Sequence, residues 1–298
     1  MKLSISIVIP CKNEENTIAT LIENLIDSNI ADEIIVVNDG STDNTLKIIN
    51  DYNIKVITHP YSKGNGASIK AGARKATCDI LIFMDADGQH QVSEIPKLIA
   101  GIEHNFDMVI GARDNKSQAS VARLVGNKIY NRLASLITGH KVKDLTSGFR
   151  ACRRKYFMDF ISLLPNGFSY PTTITMAFFR SGYSIKYIPI SVKKRKGKSH
   201  ISLLTDGIRF LLIIFKVGIL YSPLKIIAPF SAVLFSSGIA HYAYTYFLSG
   251  RFTNMSLLLL IAAFFIFVFG LISEQITMLI YLNINSKKED DININNPD

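Results

Sequence analysis

ILIFMDADGQH, residues 80 to 90, is a run of five apolar residues that stops at two carboxylates one residue apart. Ile80 to Met84 reads as a strand buried on both faces, because a parallel strand covered by helices shows a continuous apolar run rather than alternation. Such a strand breaks into charge where a sheet edge meets water or a ligand. In open α/β sheets, ligands sit beyond the carboxyl ends of the strands. Asp85 and Asp87 therefore mark a candidate site.

The flanking chain repeats the pattern. SISIVIP (4 to 10), EIIVVND (33 to 39), IKVITH (54 to 59) and FDMVIGAR (106 to 113) read as further strands. Helical periodicity covers 15 to 28, 42 to 52, 65 to 76, 120 to 138 and 171 to 180. Alternating strands and helices predict an α/β domain with a mostly parallel sheet over residues 1 to 198. The N-terminal MKLSISIVIP runs straight into CKNEEN and is expected to be the first strand and not a signal peptide. Cys11, Cys78 and Cys152 are far apart and odd in number, which supports neither a disulfide framework nor a zinc site.

After residue 199 the composition changes. Residues 226 to 248 are nearly uncharged, and residues 256 to 282 are interrupted only by Glu274. Each run exceeds the roughly 20 apolar residues that a helix needs to cross a bilayer. The two are expected to form a transmembrane hairpin over 223 to 283, joined by SGRFTN. They are not read as two core helices, because no comparable apolar surface is left for such helices to cover. Glu274 should face the other helix or a partner chain, since a lipid-facing carboxylate is costly, and this hints at homo-oligomers through the hairpins. The chain carries 33 Lys and Arg against 24 Asp and Glu, a net charge of +9, and much of the excess lies beside the hairpin. KKRKGK (193 to 198), Lys216, Lys225, Lys287 and Lys288 flank the spans, whereas the hairpin loop has only Arg251. By the positive-inside bias the N-terminal half and both termini are expected to be cytoplasmic. Residues 199 to 222 have one polar and one apolar side, the pattern of a helix lying in the interface of a membrane with anionic headgroups. Residues 284 to 298 read as a disordered polar tail. A basic cluster that abuts a membrane segment fits nucleic acid poorly.

Three strands end in polar clusters: Pro10 into CKNEEN, Val37 into NDGSTD and Met84 into DADGQH. Two carboxylates at i and i+2 on an extended segment suit one hard divalent cation. Asp87 would be the direct ligand, with Asp85 near a ribose or a bound water and Gln89 adding an oxygen. Hard oxygens select Mg²⁺ or Mn²⁺, which usually bind through one or two carboxylates plus substrate phosphates. KGNGASIKAG (63 to 72) opens a helix with G-x-G, so it could either bind phosphate through backbone N–H groups or simply make a tight turn. It is not the G-x-G-x-x-G of dinucleotide folds.

VIPCKNEENTI, VNDGSTDNT, KGNGASIKAG, DADGQH and DLTSGFR, in this order and spacing, resemble glycosyltransferase family 2. The interfacial segment and hairpin resemble its polyprenyl-phosphate branch, which includes dolichol-phosphate mannosyltransferases and undecaprenyl-phosphate glucosyl- and aminoarabinosyltransferases. The resemblance implies a GT-A fold and transfer of one sugar, with inversion, from a UDP- or GDP-sugar to undecaprenyl or dolichyl phosphate, dependent on Mg²⁺ or Mn²⁺. By position it implies a donor site of Pro10, Lys12, Glu14, Asp39, Lys63, Asp85, Ala86 and Asp87, with Asp39 on the base. It implies a metal and diphosphate cluster of Asp85, Asp87 and Gln89. Arg113 and Arg123 would hold the acceptor phosphate, Asp144, Ser147 and Arg150 would form the acceptor-side motif, and Arg195 and Ser199 the closing loop. The family's His-Asp-Pro after the metal motif is His90, Gln91 and Val92 here, and His200 stands where Lys is common. A processive polysaccharide synthase of the same family is the nearest rival. It would carry a Q-x-x-R-W motif, and this chain has no Trp. A catalytically silent membrane adaptor of the same fold is the other.

Overall fold

The computed structural model describes residues 3–113, 121–167, 169–192, 212 and 215–295, with side chains for 3–113, 127–167, 169–192, 212 and 215–282. Two compact units are distinguished, one of residues 1–135 and 140–208, the other of residues 136–139 and 209–298.

The first unit is built on a seven-stranded sheet. β1 (Ile5–Cys11) is central and pairs in parallel with β2 (Glu33–Asn38), which pairs in parallel with β3 (Lys55–Thr58). On its other side β1 pairs in parallel with β4 (Ile80–Phe83). The order continues through β6 (Arg150–Arg153), β5 (Met108–Arg113) and β7 (Ile185–Ile190), giving β3-β2-β1-β4-β6-β5-β7. Only β6 runs antiparallel to its neighbours. The chain leaves β1 towards β3 and then returns to lay β4 on the opposite side, so the strand order reverses between β1 and β4. That crevice is where open α/β sheets take their ligands.

The helices follow from apolar spacing. α1 (Ile18–Ser28) buries Ile18, Leu21, Ile22 and Leu25, one stripe at helical period, and ends at Asn29 in the left-handed conformation. α2 (Thr45–Asn50), α3 (Asn65–Lys75), α4 (Ile95–Glu103), α5 (Val121–Thr138), α6 (Arg154–Asp159) and α7 (Tyr170–Arg180) are the other α-helices of this unit among the described residues. β4 is wholly buried, as its continuous apolar run requires, and packs with Ile7, Ile9, Val36, Leu98 and Ile102 in one core. The mostly parallel sheet and the first five strands agree with the sequence. β6 and β7 were not foreseen: RACR is bounded by cations, and IKYIPI carries a proline and is mostly half-buried.

The second unit contains α8 (Pro223–Ser249) and α9 (Asn254–Asn295), both long and apolar enough to cross a membrane. Ser231 Oγ donates to the Ala263 carbonyl, and His241 Nδ1 lies 2.9 Å from Ser256 Oγ. These contacts, with the one below, zip the pair as an antiparallel hairpin. Glu274 does face the other helix: its Oε2 accepts from the Leu224 amide at 3.1 Å and from Ser222 Oγ at 3.3 Å. A carboxylate at a helix's first turn satisfies an orphan N–H and complements the helix dipole. The partner is within the same hairpin, which removes the reason for reading Glu274 as a sign of oligomers. Where a polar tail was expected, α9 continues to Asn295, and residues 283 to 296 contain no glycine or proline to stop it. Of the expected interfacial helix, residues 212 and 215–221 are helical, and 199–211, 213 and 214 lie outside the described residues.

Glu274→Leu is expected to destabilise the hairpin by about 1 kcal/mol, the usual worth of a helix cap, lowering the melting temperature in detergent. Glu274→Gln, which keeps an acceptor oxygen, should lose less. Equal melting of wild type and Glu274→Leu would contradict the capping role.

Candidate active site

The carboxyl ends of β1, β2 and β4 enclose a cleft of about 330 Å³. Pro10, Cys11, Lys12 and Glu14 line it from β1, Asp39 from β2, Ser62, Gly64, Asn65 and Ser68 from the α3 entry, and Asp85, Ala86 and Asp87 from β4. Thr17 Oγ1 donates to the Ala86 carbonyl at 2.8 Å and lies 3.1 Å from Glu14 Oε2, tying the β4 turn to the β1 turn. The Gln89 amide donates to Asp87 Oδ1 at 3.1 Å, closing a tight turn at Gly88. Cys11 is the thiol nearest this chemistry, but burial and then the charges of Glu14, Asp43 and Asp39 push its pKa up to about 12. It is therefore not a nucleophile at neutral pH.

Asp39 lines the cleft, yet its carboxylate is already saturated. Oδ1 accepts from His59 Nδ1 and the Lys63 amide, both at 2.8 Å, and Oδ2 from Ser62 Oγ at 2.8 Å and the Gly64 amide at 2.9 Å. Four donors fill the four lone-pair positions of a carboxylate. In this structure Asp39 shapes the 59–64 loop and offers no lone pair to a base, which revises the role expected of it. The possible phosphate site at KGNG is likewise closed. The Gly66 and Ala67 amides donate to the Gly167 and Asn166 carbonyls at 3.2 and 2.9 Å. Gly66 is glycine because a Cβ there would run into the backbone of residues 165 to 167. Lys63 itself is exposed, with Nζ 5.8 Å from the Tyr61 ring centroid.

The DLTSGFR segment faces the same edge from β5 and β6. Arg113 holds Asp144 with its fork, Nε to Oδ2 at 2.8 Å and an Nη2 bond to Oδ1 at 2.9 Å, and Nη2 also reaches Thr146 Oγ1. Burial opposes both charges, but the pairing wins: Asp144 is held below the usual carboxylate range and Arg113 is raised. Ser147 Oγ donates to the Gly111 carbonyl at 2.6 Å. Arg150, expected on the acceptor, has no exposed surface; it bonds the Pro171 carbonyl and Thr175 Oγ1, both at 3.0 Å, and the Ser147 carbonyl. It therefore does not reach a ligand, because its bonds all turn inward. Ser147 is equally internal. Arg123 lies on α5 with its side chain outside the described residues, and Arg195 and Ser199 lie outside them altogether.

His90 takes a place that the sequence did not assign. It is buried, its ring stacks on Phe149 at 4.9 Å, and Nε2 is 3.9 Å from Asp85 Oδ2. Burial, only partly offset by Asp87, lowers its pKa to about 4, so it is neutral at pH 7. No local pattern signals this, since the stacking partner is 59 positions away in sequence.

Asp85 and Asp87 fit a hard cation. Gly148 leaves room beside Asp85, for a Cβ there would come within 2.7 Å of Oδ2. Among the described residues no group of three His, Cys, Asp or Glu surrounds a point, so the protein offers no closed cage. An incomplete oxygen set completed by ligand phosphates is the usual arrangement for Mg²⁺, and not for structural zinc.

The family described as Glycosyl transferase family 2 matches residues 6–161, and a second, GtrB C-terminal hairpin, matches residues 222–279. The chain is similar to glycosyltransferase AglJ of Haloferax volcanii, 29% identical over 210 residues, 69% of this chain and 68% of that one. It is similar to a dolichyl-phosphate hexose transferase of the same organism, 28% identical over 205 residues, covering 68% and 89%. An undecaprenyl-phosphate 4-deoxy-4-formamido-L-arabinose transferase of Proteus mirabilis is 35% identical over 160 residues, and the match spans about half of each chain, 50% and 49%. Among solved structures, glucosyl-3-phosphoglycerate synthase of Mycobacterium tuberculosis, in complex with Mn²⁺, UDP and glucosyl-3-phosphoglycerate, superposes with a TM-score of 0.60. That likeness covers 72% of this chain and 80% of that one at 20% identity, and it shows the shared GT-A fold.

The internal bonds of Asp39 hold its pKa at about 2, below the ordinary 3.8, despite the opposing effect of burial. A carboxylate with a depressed folded pKa stabilises above the unfolded value, and that stability is lost as pH falls through the folded one. Asp39→Asn is therefore expected to melt lower at pH 7 and to depend less on pH between about 4 and 2. Parallel pH profiles for wild type and variant would contradict the saturation of Asp39.

Proposed function

The chain belongs to glycosyl transferase family 2, and from that premise we propose that it transfers a single sugar from a nucleoside-diphosphate donor, UDP- or GDP-linked, to a polyprenyl phosphate at the cytoplasmic membrane face. The observation that carries this reading is the placement of Asp85 and Asp87 at the β1/β4 switch point, in one chain with an apolar hairpin. Relatives whose names specify dolichyl or undecaprenyl phosphate support the acceptor.

Asp87 and Asp85, with Gln89, would hold Mg²⁺ or Mn²⁺. When bound, such an ion neutralises the charge of a departing diphosphate. Pro10, Lys12, Glu14 and Ala86 form the walls against which the donor lies. A phosphate monoester has a second pKa of about 6 and arrives largely ionised at pH 7. It needs no strong general base, in keeping with a His90 held neutral behind the site and an Asp144 tied to Arg113. Asp144 locks the guanidinium plane of Arg113 and makes it a fixed cation for the incoming anion. Arg123 and the Arg195–Ser199 loop add to that acceptor side in this reading. The phosphate oxygen forms its bond to the anomeric carbon as the bond to the diphosphate breaks on the opposite face. The configuration inverts and the nucleoside diphosphate leaves. The inert Cys11 thiol agrees with a single displacement without an enzyme nucleophile.

The hairpin gives the acceptor its place. A polyprenyl tail stays in lipid, so the sheet edge must work at headgroup level. The basic flanks Lys216, Lys225 and KKRKGK favour the cytoplasmic side and anionic lipid.

Asp87→Ala is expected to cut transfer of labelled sugar to undecaprenyl phosphate by more than about a hundredfold, beyond what changes around a metal ligand cost, with an unchanged circular dichroism spectrum. Near-normal transfer by Asp87→Ala would refute the assignment of the diphosphate site.

A further inference from the structure

DLTSGFR, whose Asp144, Ser147 and Arg150 resemble acceptor contacts, also forms in this structure the back wall of the DADGQH turn. Two successive residues do this. Gly148 leaves no room for a Cβ beside the Asp85 carboxylate: one would sit 2.7 Å from Oδ2 and 3.3 Å from Cγ and Oδ1. Phe149 stacks under His90 at an interplanar angle of 14°. The turn carrying Asp85 and Asp87 is thus backed near both of its ends by one short segment.

That segment is itself clamped. Ser147 Oγ bonds the Gly111 carbonyl, and the Gly111 amide donates to the Phe149 carbonyl at 3.0 Å. Tyr170 donates its hydroxyl to the Gly148 carbonyl at 3.4 Å. Arg150 joins the Ser147 carbonyl to the first turn of α7 through the Pro171 carbonyl, and its guanidinium lies 5.8 Å from the Tyr170 ring centroid. Its bonds go to carbonyls, a hydroxyl and the Met108 thioether, and burial lowers its pKa. A fully buried cation bonded to carbonyls in place of a carboxylate carries a large desolvation cost. A positioning task accounts for retaining it.

We propose that Gly148 and Arg150 are positioning residues for the metal and diphosphate site: Arg150 and Tyr170 hold the 147–150 backbone, and Gly148 sets where the Asp85 carboxylate stands. The proposal rests on the functional reading above, because it takes Asp85 as part of a cation and diphosphate site. Groups that orient metal ligands typically change metal affinity by about 10–100-fold when altered.

Gly148→Ala tests this directly. The obstructing atoms are the end of a flexible side chain, so the fold survives and the carboxylate moves. The measurement is calorimetric titration of the full chain in detergent with UDP and with GDP, each with Mn²⁺ and with EDTA, alongside a thermal melt. Mn²⁺ should tighten nucleotide binding to the wild type. Gly148→Ala should lose about tenfold of the affinity measured with Mn²⁺, with binding in EDTA and the melting temperature unchanged. Tyr170→Phe, which removes only the hydroxyl, should lose about threefold in the same sense, as for one hydrogen bond; it decides the matter if Gly148→Ala does not fold. Equal Mn²⁺-linked tightening in wild type and variants overturns the positioning role and leaves the functional reading standing. Losses of the same size with Mn²⁺ and with EDTA overturn it as well. If the wild type shows no Mn²⁺-linked tightening with either nucleotide, the functional reading fails and the positioning role falls with it.

Discussion

Four buried residues, Ile80 to Phe83, pair with β1 on one side and β6 on the other, and the site depends on that double pairing. The parallel register, Val8 against Phe83, carries the chain out of β4 beside the turn that leaves β1, so Asp85 and Asp87 share an edge with Lys12 and Glu14. The antiparallel register, Phe83 against Arg150, brings the end of DLTSGFR up behind the same carboxylates. Neither contact costs polar burial in β4 itself, since its four side chains are apolar and fully covered. The sheet's interior therefore stabilises a charged edge that would not assemble unaided.

Around that edge most charge is already committed. Asp39 is saturated by the loop it organises, Asp144 fixes the orientation of the Arg113 guanidinium, and Arg150 is folded inward. Buried pairs of this kind gain little net stability over apolar packing, because desolvation offsets their attraction. Their effect here is geometric: each one fixes a loop that borders the cleft. The acidic turn of Asp85 and Asp87 lines the cleft with Lys12 beside it.

Much of this was legible in the sequence. Continuous apolar runs announced β1, β2, β4 and β5, and the ends of three of them announced the cleft. The two apolar runs announced the hairpin, and the cost of a lipid-facing carboxylate turned Glu274 towards its neighbouring helix. What could not be read was the internal bonding of polar residues. Asp39 and Arg150 have the chemistry of ligand contacts, but Asp39's partners lie 20 to 25 positions away and Arg150's reach α7. Spacing does not reveal whether a carboxylate's lone pairs are taken. β6 escaped notice because a four-residue strand ending in arginine shows no apolar period. The glycines of KGNG suggested phosphate for a related reason, since close approach of another backbone and close approach of a ligand require the same residue.

The most direct test is to incubate the detergent-purified chain with undecaprenyl phosphate, Mg²⁺ or Mn²⁺ and a panel of UDP- and GDP-sugars, and to weigh the lipid by mass spectrometry. The expected result is a gain of one sugar from one donor, abolished by EDTA. Consumption of the donor with no gain in lipid mass, or a ladder of added sugars, would contradict transfer of a single sugar to a lipid phosphate.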